Sequence, residues 1–562
     1  MNKYFLGTAM MLALGMTFTG CSDDDTVKLD AEADGKYVGT EQGNFSADEW
    51  YPGGKLGTTD NVYAGCYEDE TPAVEEQGLL DNFNEGDKIA SAKFTLTTNP
   101  YKGWGPVASR HSCEDCHAGG YSHGHSRNDF NPERANGYIV SVYTPDAPGS
   151  NDGEPINQLT TFTMTMAMKP FLPPLNPGKV QIKWNDVDRM ESGLKMQFPD
   201  GEKFALRYPE VTIPQDAFNT EPKPENYAVR LIVSCNFQGL GLIDALSNED
   251  IKKQYQAEAA AGVELNPAMW DKAANDFTAD AYATSGDGKK FVKRFNYDLL
   301  EGCLQNDVAL WDELNVLRSD IHQICSTTPW ALAMSKNQDV IDYIQKNGAD
   351  DPTLKPYYQD GTAEKISEAI RSLLAPAGDP KAVDLYDNQY HNFQPEMTDA
   401  QYHSFMVWHR GLAVPRARNL NDKSVQRGKQ LFTEMGCTYC HRPSWTTGDD
   451  NYGRSEILLG KQLPQYKNQK IYPYSDFVQH KLDMKNDIHG SWCRTTPLWG
   501  RGLALANSGK EDRLHDARAR NEVEAIMWHA YSKNSQAYDT AMKFYNLSKS
   551  DRDAVVKFIR SI

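Results

Sequence analysis

Apolar positions cluster first at the N-terminus. Residues 4–18 are apolar and rich in small side chains behind the single basic Lys3, and polarity then rises sharply. The run is too short to span a bilayer, which takes about 20 apolar residues, so it predicts a cleaved export signal over 1–20. Residues 22 to about 80 are rich in Gly, Asp, Glu and Thr without a steady period. They predict a tether running into an extended lead-in. A helical start at Gly86-Asp87-Lys88-Ile89 gives way to Pro100, Gly103, Gly105 and Pro106, so a loop is expected before residue 113.

Strand-like alternation follows. Lys179-Val180-Gln181-Ile182-Lys183-Trp184 and Lys195-Met196-Gln197-Phe198 carry a two-residue period, and Pro199-Asp200-Gly201 supplies a turn. They predict a β-rich insertion over about 138–233. Helical texture returns from about 240 to 375, including 249–261 and 306–324. Beyond residue 406, Ser424 is placed to cap a helix whose Val425, Gly428, Leu431, Phe432 and Met435 share one face before Gly436. Ser548-Lys549-Ser550-Asp551 resembles a capping box ahead of Val555, Val556, Phe558, Ile559 and Ile562. The whole pattern predicts a mainly α fold with a tether over 21–80, a unit over 81–405 holding the β-rich insertion, and a smaller unit over 406–562. After the signal, no apolar run is long enough to cross a membrane.

Composition limits the function. With 562 residues, 40% hydrophobic and 24% charged, the chain can build at least two cores. A formal charge of −19 argues against nucleic-acid binding and favours a partner with a basic patch.

The chemistry lies in a repeated motif, Cys113-Glu114-Asp115-Cys116-His117 and Cys437-Thr438-Tyr439-Cys440-His441. Two thiols three positions apart add to the two vinyl groups of one haem, and the adjacent histidine is then held against the iron. The motifs predict two covalently bound c-type haems with His117 and His441 as proximal ligands. A closed zinc site would need a second Cys or His pair nearby, which neither motif has. Phe18-Thr19-Gly20-Cys21 resembles a lipoprotein signal-peptidase site, which would make Cys21 a lipidated first residue held at the membrane by acyl chains. Ser22-Asp23-Asp24-Asp25 resembles an acidic surface-export tag, with a plain solvated tether as the equal alternative. The expected location is the outer membrane, on its periplasmic face or the cell surface. Cys66, Cys235, Cys303, Cys325 and Cys493 remain, an odd set that leaves a free thiol or an intermolecular pairing.

The C-terminal half resembles the bacterial di-haem oxidoreductases, within the superfamily of di-haem cytochrome c peroxidases and MauG-type enzymes. The resemblance is carried by Leu412-Ala413-Val414-Pro415, Gly428-Lys429-Gln430-Leu431-Phe432, Pro473-Tyr474-Ser475-Asp476, Arg494-Thr495-Thr496-Pro497-Leu498-Trp499-Gly500 and Leu514-His515-Asp516-Ala517-Arg518-Ala519. Weaker echoes are Gly103-Trp104-Gly105-Pro106 and Gly239-Leu240-Gly241-Leu242, so coverage is about 85–562. The resemblance implies two cytochrome c-like haem domains. The N-terminal haem would react with hydrogen peroxide, and the six-coordinate C-terminal haem would relay electrons from a small exported donor such as a cytochrome c or a cupredoxin. The alternatives are MauG-type oxidation of a protein or organic substrate, and a non-enzymatic electron-transfer or haem- or iron-binding lipoprotein. Calcium between the domains is a further candidate that no residue pattern decides.

The same resemblance nominates the remaining site residues. His529, on one helical face with Ala525 and Ile526, is the preferred distal ligand of the C-terminal haem, and Met484 is the alternative. His123 and His125 lie too near His117 in sequence to reach round a porphyrin easily, which favours an open N-terminal iron. Asp244, where the family often has Glu, is the candidate proton donor. Arg494 and Arg518 are candidates to neutralise haem propionates. His515 is read as structural or propionate-binding, and Trp104, Trp330 and Trp499 as candidate bridges between haems.

Overall fold

The computed structural model describes residues 39–94, 105–131, 137–145, 154–306, 309–386 and 395–562. The export signal, Cys21 and Trp104 lie outside the described residues. Helix outweighs strand, 34% to 14%.

Residues 39–79, expected as a tether, are folded into the body. Trp50, Val62, Cys66, Tyr67 and Val74 are buried there, and Thr58–Thr59 pairs in parallel with Val414–Pro415. These scattered apolar residues have no period because each anchors a different loop. Helix α1 (Leu80–Ala90) begins earlier than expected and buries Phe83, Ile89 and Ala90.

The longest strands fall between 138 and 233. β1 (Tyr138–Thr144), β2 (Gln181–Asp186), β3 (Arg207–Thr212) and β4 (Ala228–Val233) form two antiparallel sets. β1 pairs with β4 from Tyr138↔Val233 to Tyr143↔Ala228, and β2 pairs with β3 from Gln181↔Thr212 to Asp186↔Arg207. Alternating Tyr138, Val140, Val142, Val229, Leu231 and Val233 face one apolar core. Helix α2 (Asn248–Ala260) follows, with Ser247 capping Asp250 N.

The helix expected over 306–324 does not form among the described residues. Only a single π-helical turn, Ala309–Glu313, appears there. Asn315 takes a positive φ of 56°, and its amide donates to the carbonyls of Val107 and Cys325. This side-chain bonding turns the backbone where apolar spacing alone would continue a helix. Helices α3 (Thr328–Lys336), α4 (Gln338–Asn347) and α5 (Ala363–Leu373) then build a separate apolar cluster around Trp330.

The C-terminal part is helical: α6 (Asp399–Gly411), α7 (Lys423–Met435), α8 (Glu522–Trp528), α9 (Tyr538–Tyr545) and α10 (Lys549–Ser561). Val425, Gly428, Leu431, Phe432 and Met435 are the buried face of α7, as their period predicts. Its cap is Asp422, whose side chain accepts from Ser424 N, so Ser424 already lies inside the helix. Ser548 caps α10 by accepting from Asp551 N. The two helices cross where Gly428 meets the Ala554 carbonyl so closely that a Cβ would collide with it. No helix among the described residues is long and apolar enough to cross a membrane.

Candidate functional site: two cavities facing Cys-Xaa-Xaa-Cys-His turns

The first motif forms a 3-10 turn, Cys113–Asp115, capped by Ser112, whose side chain accepts from Asp115 N. His117 Nδ1 donates to the Cys235 carbonyl at 2.8 Å. A carbonyl only accepts, so the proton sits on Nδ1 and the lone pair on Nε2. Burial pushes the His117 pKa down to about 3, which keeps the ring neutral and able to ligate. Cys116 and His117 line a cavity of about 230 Å³. Ile139, Val142, Ile156, Leu159 and Phe162 make one apolar wall, and Tyr297, Glu301, Glu313, His409 and Arg494 bring polar groups. Burial, reinforced by the nearby Asp312 charge, raises the Glu301 carboxyl to about 7.

Asp244, the expected proton donor, does not line this cavity. Its carboxylate is fully buried in an ion pair with Arg410, which Asp450 grips from the other side at 2.7 Å. Gln305 Nε2 also donates to Asp244 at 3.0 Å. An acid held by these donors is occupied in joining α6 to the core, and Asp298, Glu301 and Glu313 are the acidic side chains placed on the cavity wall. His123 and His125 do not line the cavity either. His123 bonds the carbonyls of Gly124 and Leu514. His409, which sequence reasoning missed, is buried with neither ring nitrogen hydrogen-bonded. The Phe237 ring packs against both histidines, its centroid 4.9 Å from His409 and 4.0 Å from His117.

The second motif begins where α7 ends. Gly436 adopts φ 94°, a left-handed cap that favours glycine, and the chain drops into the 3-10 turn Cys437–Tyr439. His441 Nδ1 donates to the Tyr474 carbonyl at 3.0 Å, and His529 Nδ1 to the Ala525 carbonyl at 2.7 Å. Both rings keep a free Nε2 and line one cavity with Cys437 and Cys440. Burial lowers both pKa values, His441 to about 4, with the nearby His529 contributing to that shift. Met484 is not on this wall and packs in the C-terminal core beside Leu482 and Met527.

Of the two arginines expected at haem propionates, Arg494 lines both cavities. Its Nε donates to the Asn296 carbonyl, and its Nη1 has no hydrogen-bond partner among the described residues. Arg518 is on neither wall. Asp516, the carbonyls of Lys485 and Asn486, and the face of Trp528 occupy its guanidinium. Arg501 and Arg513 line the second cavity in its place, without a sequence signal to mark them. His515 also lines it, with Nε2 2.7 Å from Asp487. Against the cost of burial, the Asp487 charge holds the His515 pKa well above its usual range. No tryptophan lines either cavity among the described residues. Trp330 donates to the Leu172 carbonyl and Trp499 packs in a separate core. Tyr297 and Arg494 are the side chains common to both walls.

These features fit a haem in each cavity: Cys116 beside a neutral His117 in the first, Cys437 and Cys440 beside a neutral His441 in the second, and an Arg494 nitrogen without a hydrogen-bond partner lining both. A family model described as "Di-haem oxidoreductase, putative peroxidase" matches residues 386–562, which include the second motif. Residues 386–562 are thus similar to the di-haem oxidoreductase family, over less than half of the chain. No curated protein matches. Among solved structures, the chain is similar to a variant of the diheme peroxidase BthA from Burkholderia thailandensis. Identity there is 13%, coverage 61% of this chain and 82% of that one, and the TM-score 0.20, too low to fix fold or chemistry. Haem is the cofactor that the di-haem oxidoreductase family implies.

Proposed function

We propose that the protein is an exported, lipid-anchored outer-membrane oxidoreductase with two covalent c-type haems, and that it reduces hydrogen peroxide with electrons from a small exported donor. The asymmetry of the cavities carries this reading. The second presents His441 and His529 with free Nε2 atoms, whereas the first presents His117 Nε2, a His409 ring without a hydrogen bond and an acid of raised pKa. Cys113 and Cys116 hold one haem in a unit over 81–405, and Cys437 and Cys440 hold the other over 406–562.

Bound haem supplies redox-active iron that accepts electrons one at a time. The chain's own residues supply the rest. Glu301, protonated below about pH 7, holds a proton at its carboxyl for the oxygen that leaves as water. Ile156, Leu159 and Phe162 keep bulk water from the first cavity. His117, His441 and His529 are fixed in the ligating tautomer by backbone carbonyls. Arg494 offers Nη1 to a propionate, and Tyr297 lies on the wall through which electrons cross. Tyr439, 79% exposed on the second motif, offers the donor a contact surface. The reaction balances as hydrogen peroxide, two electrons and two protons giving two waters.

The test is to purify the mature protein, count covalent haems, add one electron equivalent and follow peroxide addition by optical and electron paramagnetic resonance spectra. One high-spin and one low-spin haem are expected, with peroxide consumed as the reduced low-spin signal is lost. Two low-spin haems inert to peroxide would overturn the reading.

A further inference from the structure

The cysteines outside the two haem motifs have unlike settings. Burial pushes the Cys66 thiol up to about 12 and raises the thiols of Cys235, Cys303 and Cys325 as well. Cys493 is half-buried and lines the second cavity together with His515. Its Sγ is 3.6 Å from His515 Nδ1, within reach of a hydrogen bond to sulfur. At the other ring nitrogen, His515 Nε2 lies 2.7 Å from Asp487 Oδ1, and both of these side chains are shut off from solvent.

A thiol, an imidazole and a buried carboxylate in sequence form the arrangement of a base-activated nucleophile. Asp487 fixes the ring from the Nε2 side, so that Nδ1 faces the sulfur. Ile488 N donates to Asp487 Oδ1 at 2.9 Å, and Val233 N donates to the His515 carbonyl, so carboxylate and backbone are both held. Burial disfavours a charged His515, but the charges of Asp487 and then Cys493 keep the proton on it. The sulfur's other polar neighbour is the Arg494 carbonyl at 3.8 Å. Tyr297 meets the His515 ring edge-on at 5.9 Å, and the Arg518 charge acts on both Asp487 and Cys493. A cysteine beside a cationic imidazole is the setting in which thiolates form and react.

We infer that Cys493 is a peroxide-reactive thiol, served by His515 and Asp487. The thiol proton passes to His515 Nδ1, and the thiolate sulfur attacks one oxygen of hydrogen peroxide. The S–O bond forms as the O–O bond breaks, and the departing hydroxide takes the proton from His515 and leaves as water. The sulfur loses two electrons to become a sulfenic acid, and the peroxide gains them. His515 touches the reacting atoms, whereas Asp487 acts through the ring as a positioning residue. Hydrogen peroxide suits the site because it is a small oxidant that needs no pocket of its own. The step uses neither iron nor an electron donor, so it stands apart from the peroxidase reading.

The experiment treats the full-length, haem-loaded protein with hydrogen peroxide in the presence of dimedone, which traps sulfenic acids, and maps the adducts by peptide mass spectrometry. An adduct on Cys493 is expected, with none on Cys66, Cys303 or Cys325, and dithiothreitol added before dimedone should abolish it. Iodoacetamide alkylation without peroxide gives a second measurement that reads the thiolate alone and excludes oxidation by haem. Asp487→Asn should slow alkylation of Cys493 roughly tenfold at neutral pH with haem content unchanged, a change that a purely structural Asp487 would not produce. Wild-type protein without the Cys493 adduct, or a folded Asp487→Asn alkylated as fast as the wild type or faster, overturns the inference and leaves His515 and Asp487 as a structural ion pair.

Discussion

An imidazole whose Nδ1–H is tied to a backbone carbonyl can offer only Nε2 to an iron, and His117, His441 and His529 each follow this arrangement. The first two were legible because the motif fixes their place beside two cysteines. His529 was nominated by the family resemblance of its helix, with Met484 as the alternative, and Met484 packs in the core away from the cavity wall. Replacing His529 by Met should keep the second haem attached and raise its midpoint potential, measured by potentiometric titration. An unchanged midpoint would remove His529 from the iron. Glu301 had no motif, and only burial and the neighbouring Asp312 single it out. Because its folded pKa stands near 7, the protonated donor is present below that value and lost above it. Peroxide turnover in the wild type should therefore fall as pH rises through about 7. Glu301→Gln should lower kcat by roughly 10²–10⁴-fold and abolish that limb of the profile.

Elements that were legible in the sequence share a strict period. α7 and α10 bury the faces that their 3.6-residue spacing marks, and β1 and β4 bury alternate residues. The expected helix over 306–324 failed because the Asn315 amide binds two carbonyls from distant loops, a contact that local spacing cannot reveal. The crossing of α7 and α10 has no slack at Gly428. Gly428→Ala should cost about 1–3 kcal/mol in urea unfolding through overpacking, whereas removing the α10 cap with Ser548→Ala should cost only about 1 kcal/mol. A Gly428→Ala variant as stable as the wild type would mean that the helices can slide apart there.

Across the whole molecule, contacts tie distant parts of the chain together. The Tyr67 hydroxyl donates to the Gly500 carbonyl, Lys429 pairs with Glu49, and Val233 N donates to the His515 carbonyl. Tyr297, from the N-terminal part, lines the second cavity, and Arg494, from the C-terminal part, lines the first. Tyr297→Leu should slow electron transfer between haems, read by stopped-flow after one-electron reduction, while haem content and spin state stay constant. An unaltered rate would route the electrons elsewhere. The sequence marked two motifs and a family-like C-terminal half, but it could not show that each cavity borrows a wall from the other. That exchange of walls bears on inheritance. Recombination that swapped in a foreign C-terminal third would replace Arg494 and leave the first chamber with a mismatched wall. The two halves are therefore constrained to diverge together, as partners in one lineage and not as interchangeable modules.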